Sequence, residues 1–196
     1  MKLLREESKM KKFELTTETK INISGKKLFR IKALISFGLI IAGEKGGWIE
    51  KEENLSQYGN AWIYDDAEVF GNAMVYDDAM VYGNAMVYGN ARVYGNARVS
   101  GNARVSGNVW VYGNAWVYGN AWVSGNADYT TIHGFGTYFR TTTFFRCKDK
   151  EIRCKCGCFY GTISEFREQV KNTRKGKIAE EYLMIADLME KHFKEE

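Results

Sequence analysis

Gly83-Asn84-Ala85-Met86-Val87-Tyr88-Gly89-Asn90-Ala91-Arg92-Val93-Tyr94 reads as two copies of one six-residue unit. The unit repeats twelve times from Gly59 to Thr130 with no insertion or deletion, starting at Gly59, Asp65, Gly71, Asp77, Gly83, Gly89, Gly95, Gly101, Gly107, Gly113, Gly119 and Gly125. A fixed short period points to stacked coils. Position three is Ala except at Val109, and position five is Val except at Ile63 and Tyr129. Two apart on an extended strand, these side chains point the same way, so a small and a β-branched residue share a narrow inward core. Positions one and two are Gly-Asn or Asp-Asp, both turn formers. Short strands and turns without a hairpin signal make a coil, and three units close a triangular turn of about 18 residues. Twelve units then give four coils, a prism roughly 20 Å long at the usual strand spacing.

Positions four and six face outward. Position four reads Trp62, Glu68, Met74, Met80, Met86, Arg92, Arg98, Arg104, Trp110, Trp116, Trp122 and Asp128. Units three apart stack on one face, which predicts the columns Met80-Arg98-Trp116, Met86-Arg104-Trp122 and Met74-Arg92-Trp110. Each arginine then lies between a thioether and an indole, a packing ladder worth about 0.5–1 kcal/mol per exposed site. Position six adds the column Tyr76-Tyr94-Tyr112, with Tyr88 and Tyr118 on the other faces, while Ser100 and Ser106 are expected to leave Arg98 and Arg104 less covered. Exposed aromatic area of this extent usually marks an interface. The candidate binding residues are Arg92, Arg98, Arg104, Trp110, Trp116, Trp122, Tyr94, Tyr112 and Tyr118. They could hold a flat anionic ligand or a partner protein, or serve stability alone.

Upstream, residues 1–58 read as an N-terminal β cap with an irregular first coil. Strands are expected over 12–17 and 27–37, and Ile49 and Leu55 read as in phase with Ala61. Downstream, residues 131–196 read as a β-hairpin plus two helices. Strands are expected over 137–147 and 151–160, and Thr162-Ile163-Ser164-Glu165 is a capping box opening a helix. A second helix from about Lys177 to His192 carries an apolar stripe of Ile178, Tyr182, Ile185, Leu188 and Met189. The whole chain of 196 residues has no proline and a net charge of +4, too weak to argue for nucleic acid. Residues 1–12 lack a secretory pattern, and the longest apolar run, 34–42, is far short of a membrane span. A cytoplasmic protein of a bacterial host cell is the expectation.

The Val/Ile-x-x-x-Ala-x rule, as in Val87-Tyr88-Gly89-Asn90-Ala91-Arg92, resembles the left-handed parallel β-helix of the hexapeptide-repeat superfamily; the left hand is implied by that resemblance and not by the period. Leu28-x-Arg30-Ile31-x-Ala33-Leu34, Gly46-Gly47-Trp48-Ile49-Glu50 and Asn54-Leu55-Ser56, running into Gly-Asn-Ala-x-Val units, resemble a family of bacterial and phage-borne repeat proteins named as transferases by fold analogy. Phe139 to Phe145 followed by Cys156-Gly157-Cys158-Phe159 resembles a tail module of phage proteins. These resemblances imply a mainly β fold, a phage or prophage origin and a homo-oligomer, with a trimer favoured by the superfamily.

Chemistry is sparse. Acyltransferases of the superfamily use a histidine near the coils and a loop protruding between repeats, and the twelve units carry neither. The chain has two histidines, His133 and His192, too few for a three-histidine zinc site. His133, just past the last coil, is the weak candidate base beside Asp128. Cys154, Cys156 and Cys158 alternate on one expected strand face, with Cys147 across the hairpin. They are weak zinc candidates, since structural sites bring ligands in C-x₂₋₄-C knuckles, and read better as reduced thiols packed under the helices. Asp65-Asp66 and Asp77-Asp78 read as solvated turns, and the stacked asparagines as side-chain ladders. Rows of Tyr and Trp differ from the Thr-x-Thr rows of ice-binding faces. No cofactor is expected. The reading is a non-catalytic binding or assembly protein that recognises a host factor or a ligand, including sequestration of a nucleotide-like small molecule and a counter-defence use. Unaltered binding after alanine or charge-reversal changes at Arg98 and Arg104 would remove the sequestration variant. The alternative is acyl or acetyl transfer at a subunit interface, and full activity in His133→Ala would eliminate it.

Overall fold

A computed structural model describes residues 10–194; the reading that no secretory segment begins the chain falls largely on residues 1–9 and lies outside them. The fold is mainly β. A hairpin of β1 (Phe13–Ile21) and β2 (Lys27–Ala33) leads to β3 (Lys45–Ile49) and then to eleven two-residue strands, from β4 (Trp62–Ile63) to β14 (Trp122–Val123). The chain continues through β15 (Tyr129–Phe135), β16 (Arg140–Arg146), β17 (Ile152–Cys156) and β18 (Phe159–Thr162) into α1 (Ile163–Thr173) and α2 (Gly176–His192).

The short strands stack in parallel, each against the strand 18 residues away, as in Arg98↔Trp116 and Arg98↔Met80. Three faces result. The first is Trp48-Glu68-Met86-Arg104-Trp122, the second Trp62-Met80-Arg98-Trp116 and the third Met74-Arg92-Trp110. The inward alanines and valines are buried from Ala61 to Val123, while Ala127 of the irregular twelfth unit is exposed. The corners work because the first turn residue is left-handed: Gly83 and Gly89 have φ of 70° and 71°, and Asp65 and Asp77 manage 53° and 58°. The aspartates are recruited, not merely solvated: Asp65 Oδ2 accepts from Gly83 N at 3.0 Å and Asp77 Oδ2 from Gly95 N at 3.2 Å, each one coil away. The second turn residues form the expected ladders, with Asn72 donating to Asn90 at 3.2 Å and Asn90 to Asn108 at 2.9 Å.

The lead-in differs from the sequence reading in phase. Ile49 aligns with Val69 and Leu55 with Val75, so both occupy position five rather than the alanine position. The steps from Leu55 to Ile63 span eight residues instead of six, and the extra residues carry the chain around Gln57-Tyr58. Asn54, fully buried, substitutes for regular pairing there by donating to Gly71 O at 3.1 Å and Ala73 O at 2.8 Å. The β1–β2 hairpin extends the first face's sheet through β3. The tail differs as well. The expected two-stranded hairpin is a four-stranded antiparallel sheet in the order β15-β16-β17-β18, because Gly157 at φ 57° folds the second expected strand in two. The capping box holds: Thr162 Oγ1 accepts from Glu165 N at 3.2 Å. The α2 stripe docks on this sheet, where Phe144, Cys154, Phe166, Tyr182, Ile185 and Met189 share one core; Leu188 is exposed and not part of it.

Lys12 closes the N-terminal end. Its buried ammonium donates to Ala61 O at 2.9 Å and reaches Tyr58 O and Gly59 O at 3.4 Å, with the Phe37 ring 4.9 Å away. Burial lowers its pKa to about 8. An unfolded lysine holds its proton to about pH 10.4, so across that window the unfolded chain binds more protons and stability rises with pH. The Lys12 contribution is on the order of 3 kcal/mol, fully expressed above the unfolded value and lost as pH falls through about 8. Buried Cys147 and Cys154, whose thiols burial pushes up, act with the opposite sign. The difference between the protein and Lys12→Met is therefore the measurement: across pH 7.5, 9 and 10.5 the urea midpoint of the protein should rise relative to that of the variant, and parallel curves would refute it.

Candidate functional site

The sequence-predicted columns form as read. Arg92, Arg98 and Arg104 each lie over the indole of the next coil, at 5.7 Å from Trp110, 5.5 Å from Trp116 and 5.8 Å from Trp122. Among the described residues none of the three makes an ion pair. Their coverage departs from expectation: Arg92 and Arg98 are exposed but Arg104 is half-buried. The room left by Ser100 is taken by Trp116, whose Nε1–H donates to Ser100 Oγ at 3.0 Å.

The faces are not equivalent. On the second face, Trp116 and Tyr118 are engaged by the C-terminal sheet. Lys155 Nζ sits 4.4 Å from the Trp116 ring and 5.4 Å from that of Tyr118, and Tyr160 packs edge-on against Tyr118 at 5.0 Å. Alternation along β17 explains this: Cys154 turns toward the helices, so Lys155 turns toward the prism. Trp116 N also donates to Thr143 Oγ1 at 2.9 Å, and Ala121 bridges to Cys147. On the first face Trp122 is partly open and Tyr88 stacks on Phe70 at 5.0 Å.

The third face is the open one. Tyr76 stacks on Tyr94 at 4.9 Å and 3°, and Tyr94 on Tyr112 at 5.5 Å and 15°. Burial pushes the Tyr76 hydroxyl up, as does neighbouring Tyr94, against the pull of Arg92. Among the described residues no strand continues this face past Trp110-Val111. The twelfth unit bends into a 3-10 turn at Asn126–Asp128, and side chains close the strand edge: Asn126 Oδ1 accepts from Trp110 N at 3.3 Å, and the Tyr129 hydroxyl donates to Trp110 O. The missing rung leaves a recess of about 410 Å³ lined by Trp110, Tyr112, Asn126, Tyr129, Thr130 and Thr131. Trp110 is 50% and Tyr112 54% exposed at its mouth. Its size is that of a ligand pocket, with aromatic walls and a few convergent polar groups. Asn126, Thr130 and Thr131 escaped the sequence reading, since the signal for a recess was the irregular twelfth unit, Ala127-Asp128-Tyr129 in place of Ala-x-Val.

The repeat itself matches known proteins. Residues 79–95, 85–99, 91–107, 97–113 and 111–125 match the family described as YdcK Beta solenoid repeat. These rungs are similar to YdcK-type solenoid repeats over that quarter of the chain. A curated protein of Escherichia coli strain K12, described as "Uncharacterized acetyltransferase YdcK", is 53% identical over 38 residues, which is 19% of this chain and 12% of that protein. The chain thus spans about an eighth of that relative's length in the match. Among the described residues no helix is long and apolar enough to cross a membrane.

Outside the repeat rungs, the weak candidates for chemistry are dispersed. His133 is exposed on β15, and its Nδ1 meets Thr141 Oγ1 at 3.2 Å. Asp128 has other partners: Oδ2 accepts from Ser124 N at 2.8 Å, Ser124 Oγ at 2.9 Å and Gly125 N at 2.8 Å, and Arg146 Nε lies 3.4 Å from Oδ1. Burial works to raise its pKa, but these donors and Arg146 hold it below the usual carboxylate range. The acid therefore clamps the bend rather than serving His133. The cysteines also separate. The register sets Phe144, not Cys147, opposite Cys154. Cys147 packs at the end of the solenoid core, Cys154 lies in the helical core with Cys156 at its margin, and Cys158 is exposed in the turn after β17. Among the described residues no three His, Cys, Asp or Glu side chains converge as a metal site would require.

Proposed function

We propose that this protein is a non-catalytic recognition module whose third face binds a flat anionic ligand of the nucleotide type. The observation that supports it is the tyrosine column running at stacking distance into a half-exposed Trp110–Tyr112 recess, beside Arg92, which makes no ion pair among the described residues. A base stacked on Tyr112 or Trp110 would extend the column, Arg92 would meet the phosphate, and the Asn126 amide and Thr130 and Thr131 hydroxyls would meet polar ring edges. Each stacked base is worth about 1–3 kcal/mol by alanine substitution. Titration with AMP, followed by tryptophan fluorescence, should show saturable binding that Tyr112→Ala weakens at least tenfold and Arg92→Glu abolishes, while Trp122→Ala on the first face leaves it unchanged. Failure of AMP and the other mononucleotides to bind would overturn the reading. The phage resemblance of the lead-in and tail supports a host factor as the biological target and a counter-defence use, in the cytoplasm of a bacterial cell and as a homo-oligomer.

The printed name of the Escherichia coli relative favours a second reading, acetyl transfer, with His133 as the base at a subunit interface. Turnover of acetyl-CoA that His133→Ala abolishes would establish it. Turnover that the substitution leaves intact would remove His133 from the chemistry.

A further inference from the structure

A second cleft, on another face, is independent of the nucleotide reading. The segment 34–44 between β2 and β3 folds back over the second face. It is pinned: Phe37 N donates to Ile40 O at 3.0 Å and Ile40 N to Phe37 O at 2.8 Å, and Ala42 N donates to Ser36 Oγ at 3.0 Å. Phe37 packs edge-on against Trp62 at 5.4 Å, and Ile40 is buried in the solenoid core. Gly38 passes so close to the Asn60 side chain that a Cβ there would lie 3.3 Å from it, at a φ of +50°. This anchoring holds Leu39 at the loop tip with 86% of its surface exposed.

Beneath the tip lie two adjoining recesses of about 190 and 330 Å³, which share Leu39, Tyr64, Met80 and Arg98. Arg98 is a prepared cation. Its guanidinium rests on the Trp116 ring, which Lys155 covers at 4.4 Å and Ser100 holds through the indole N–H. Planar and without an ion pair among the described residues, it suits a planar carboxylate. Glu44 faces Tyr64, whose hydroxyl is pushed up by burial and then by this carboxylate, and two acids stand on the rim, Asp65 and Asp78. Each is tied to a neighbour, Asp65 to Gly83 N at 3.0 Å and Asp78 to Asn60 Nδ2 at 2.8 Å, and both would repel a second negative charge. We infer that this cleft binds a small amphiphilic monocarboxylate, its apolar body between Leu39, Tyr64 and Met80 and its carboxylate on Arg98.

The test is methyl NMR of the full chain labelled at leucine and methionine, titrated with octanoate, octanol and octanedioate. Octanoate should shift the Leu39 and Met80 methyls saturably, with octanol and the dianion at least tenfold weaker. Arg98→Met should abolish the preference for octanoate over octanol, and Leu39→Asn, at an exposed position that leaves folding intact, should weaken both. Octanoate that moves neither methyl, or that binds Arg98→Met unchanged, would overturn the inference. Tyr112→Ala should leave octanoate binding as it is, which keeps this result separate from the AMP titration.

Discussion

Trp62→Ala should cost about 3–5 kcal/mol, the range for emptying a large aromatic site in a packed core. Trp62 stands in an outward slot, yet it is fully buried. The lead-in wraps it: Phe13 packs edge-on at 6.3 Å and Phe37 at 5.4 Å, and Gly46 approaches so closely that a Cβ would lie 2.7 Å from its ring. The same substitution on a bare face would remove only a stacking contact. Trp62→Phe separates shape from polarity. The Trp62 indole N–H is buried with no partner among the described residues, so phenylalanine deletes an unpaired donor while keeping most of the volume. Its cost should stay below about 1.5 kcal/mol. Urea midpoints of the two variants decide the matter, and equal losses would show that the ring is not the keystone of the cap.

Phe145→Ala should cost a similar amount at the other end, again about 3–5 kcal/mol, and its neighbour provides the control. Phe145 and Phe144 are consecutive on β16 and both fully buried, because successive strand residues face opposite sides and both sides of this sheet are covered. Phe145 belongs to the solenoid core and Phe144 to the core under α1 and α2. Hydrogen exchange should therefore localise the damage. Phe145→Ala should speed exchange in the last coil, around Val117 and Val123, whereas Phe144→Ala should speed it in the helices. Identical exchange patterns would mean that the two cores act as one unit.

The solenoid was legible because its signal repeats. An inward Ala-x-Val pair is meaningful once and unmistakable when nine of twelve units carry it, and the 18-residue column rule places Arg98 on Trp116. Where repetition stopped, so did the reading. Six-residue counting puts Ile49 and Leu55 in phase with Ala61 because it cannot register the extra residues at Gln57-Tyr58. Trp62 obeys the outward pattern and is covered only because distant residues, Phe13 and Phe37, fold onto it. Trp116 and Tyr118 were candidates for a partner, and the partner is the chain's own Lys155 and Tyr160. The recess beside Trp110 arises from a missing rung, a tertiary absence that no single residue announces.

Both ends of the prism are finished by side chains that imitate the next coil: Lys12 and Asn54 at one end, Asn126 and Tyr129 at the other. The middle coils contact chiefly their own kind. A chain with one more 18-residue segment, or one fewer, would present the same two termini with the separation changed by ~4.8 Å per coil. The architecture is thus a graduated ruler, on which evolution or an engineer can set the distance between the loop that carries Leu39 and the sheet that carries Lys155 without redesigning either.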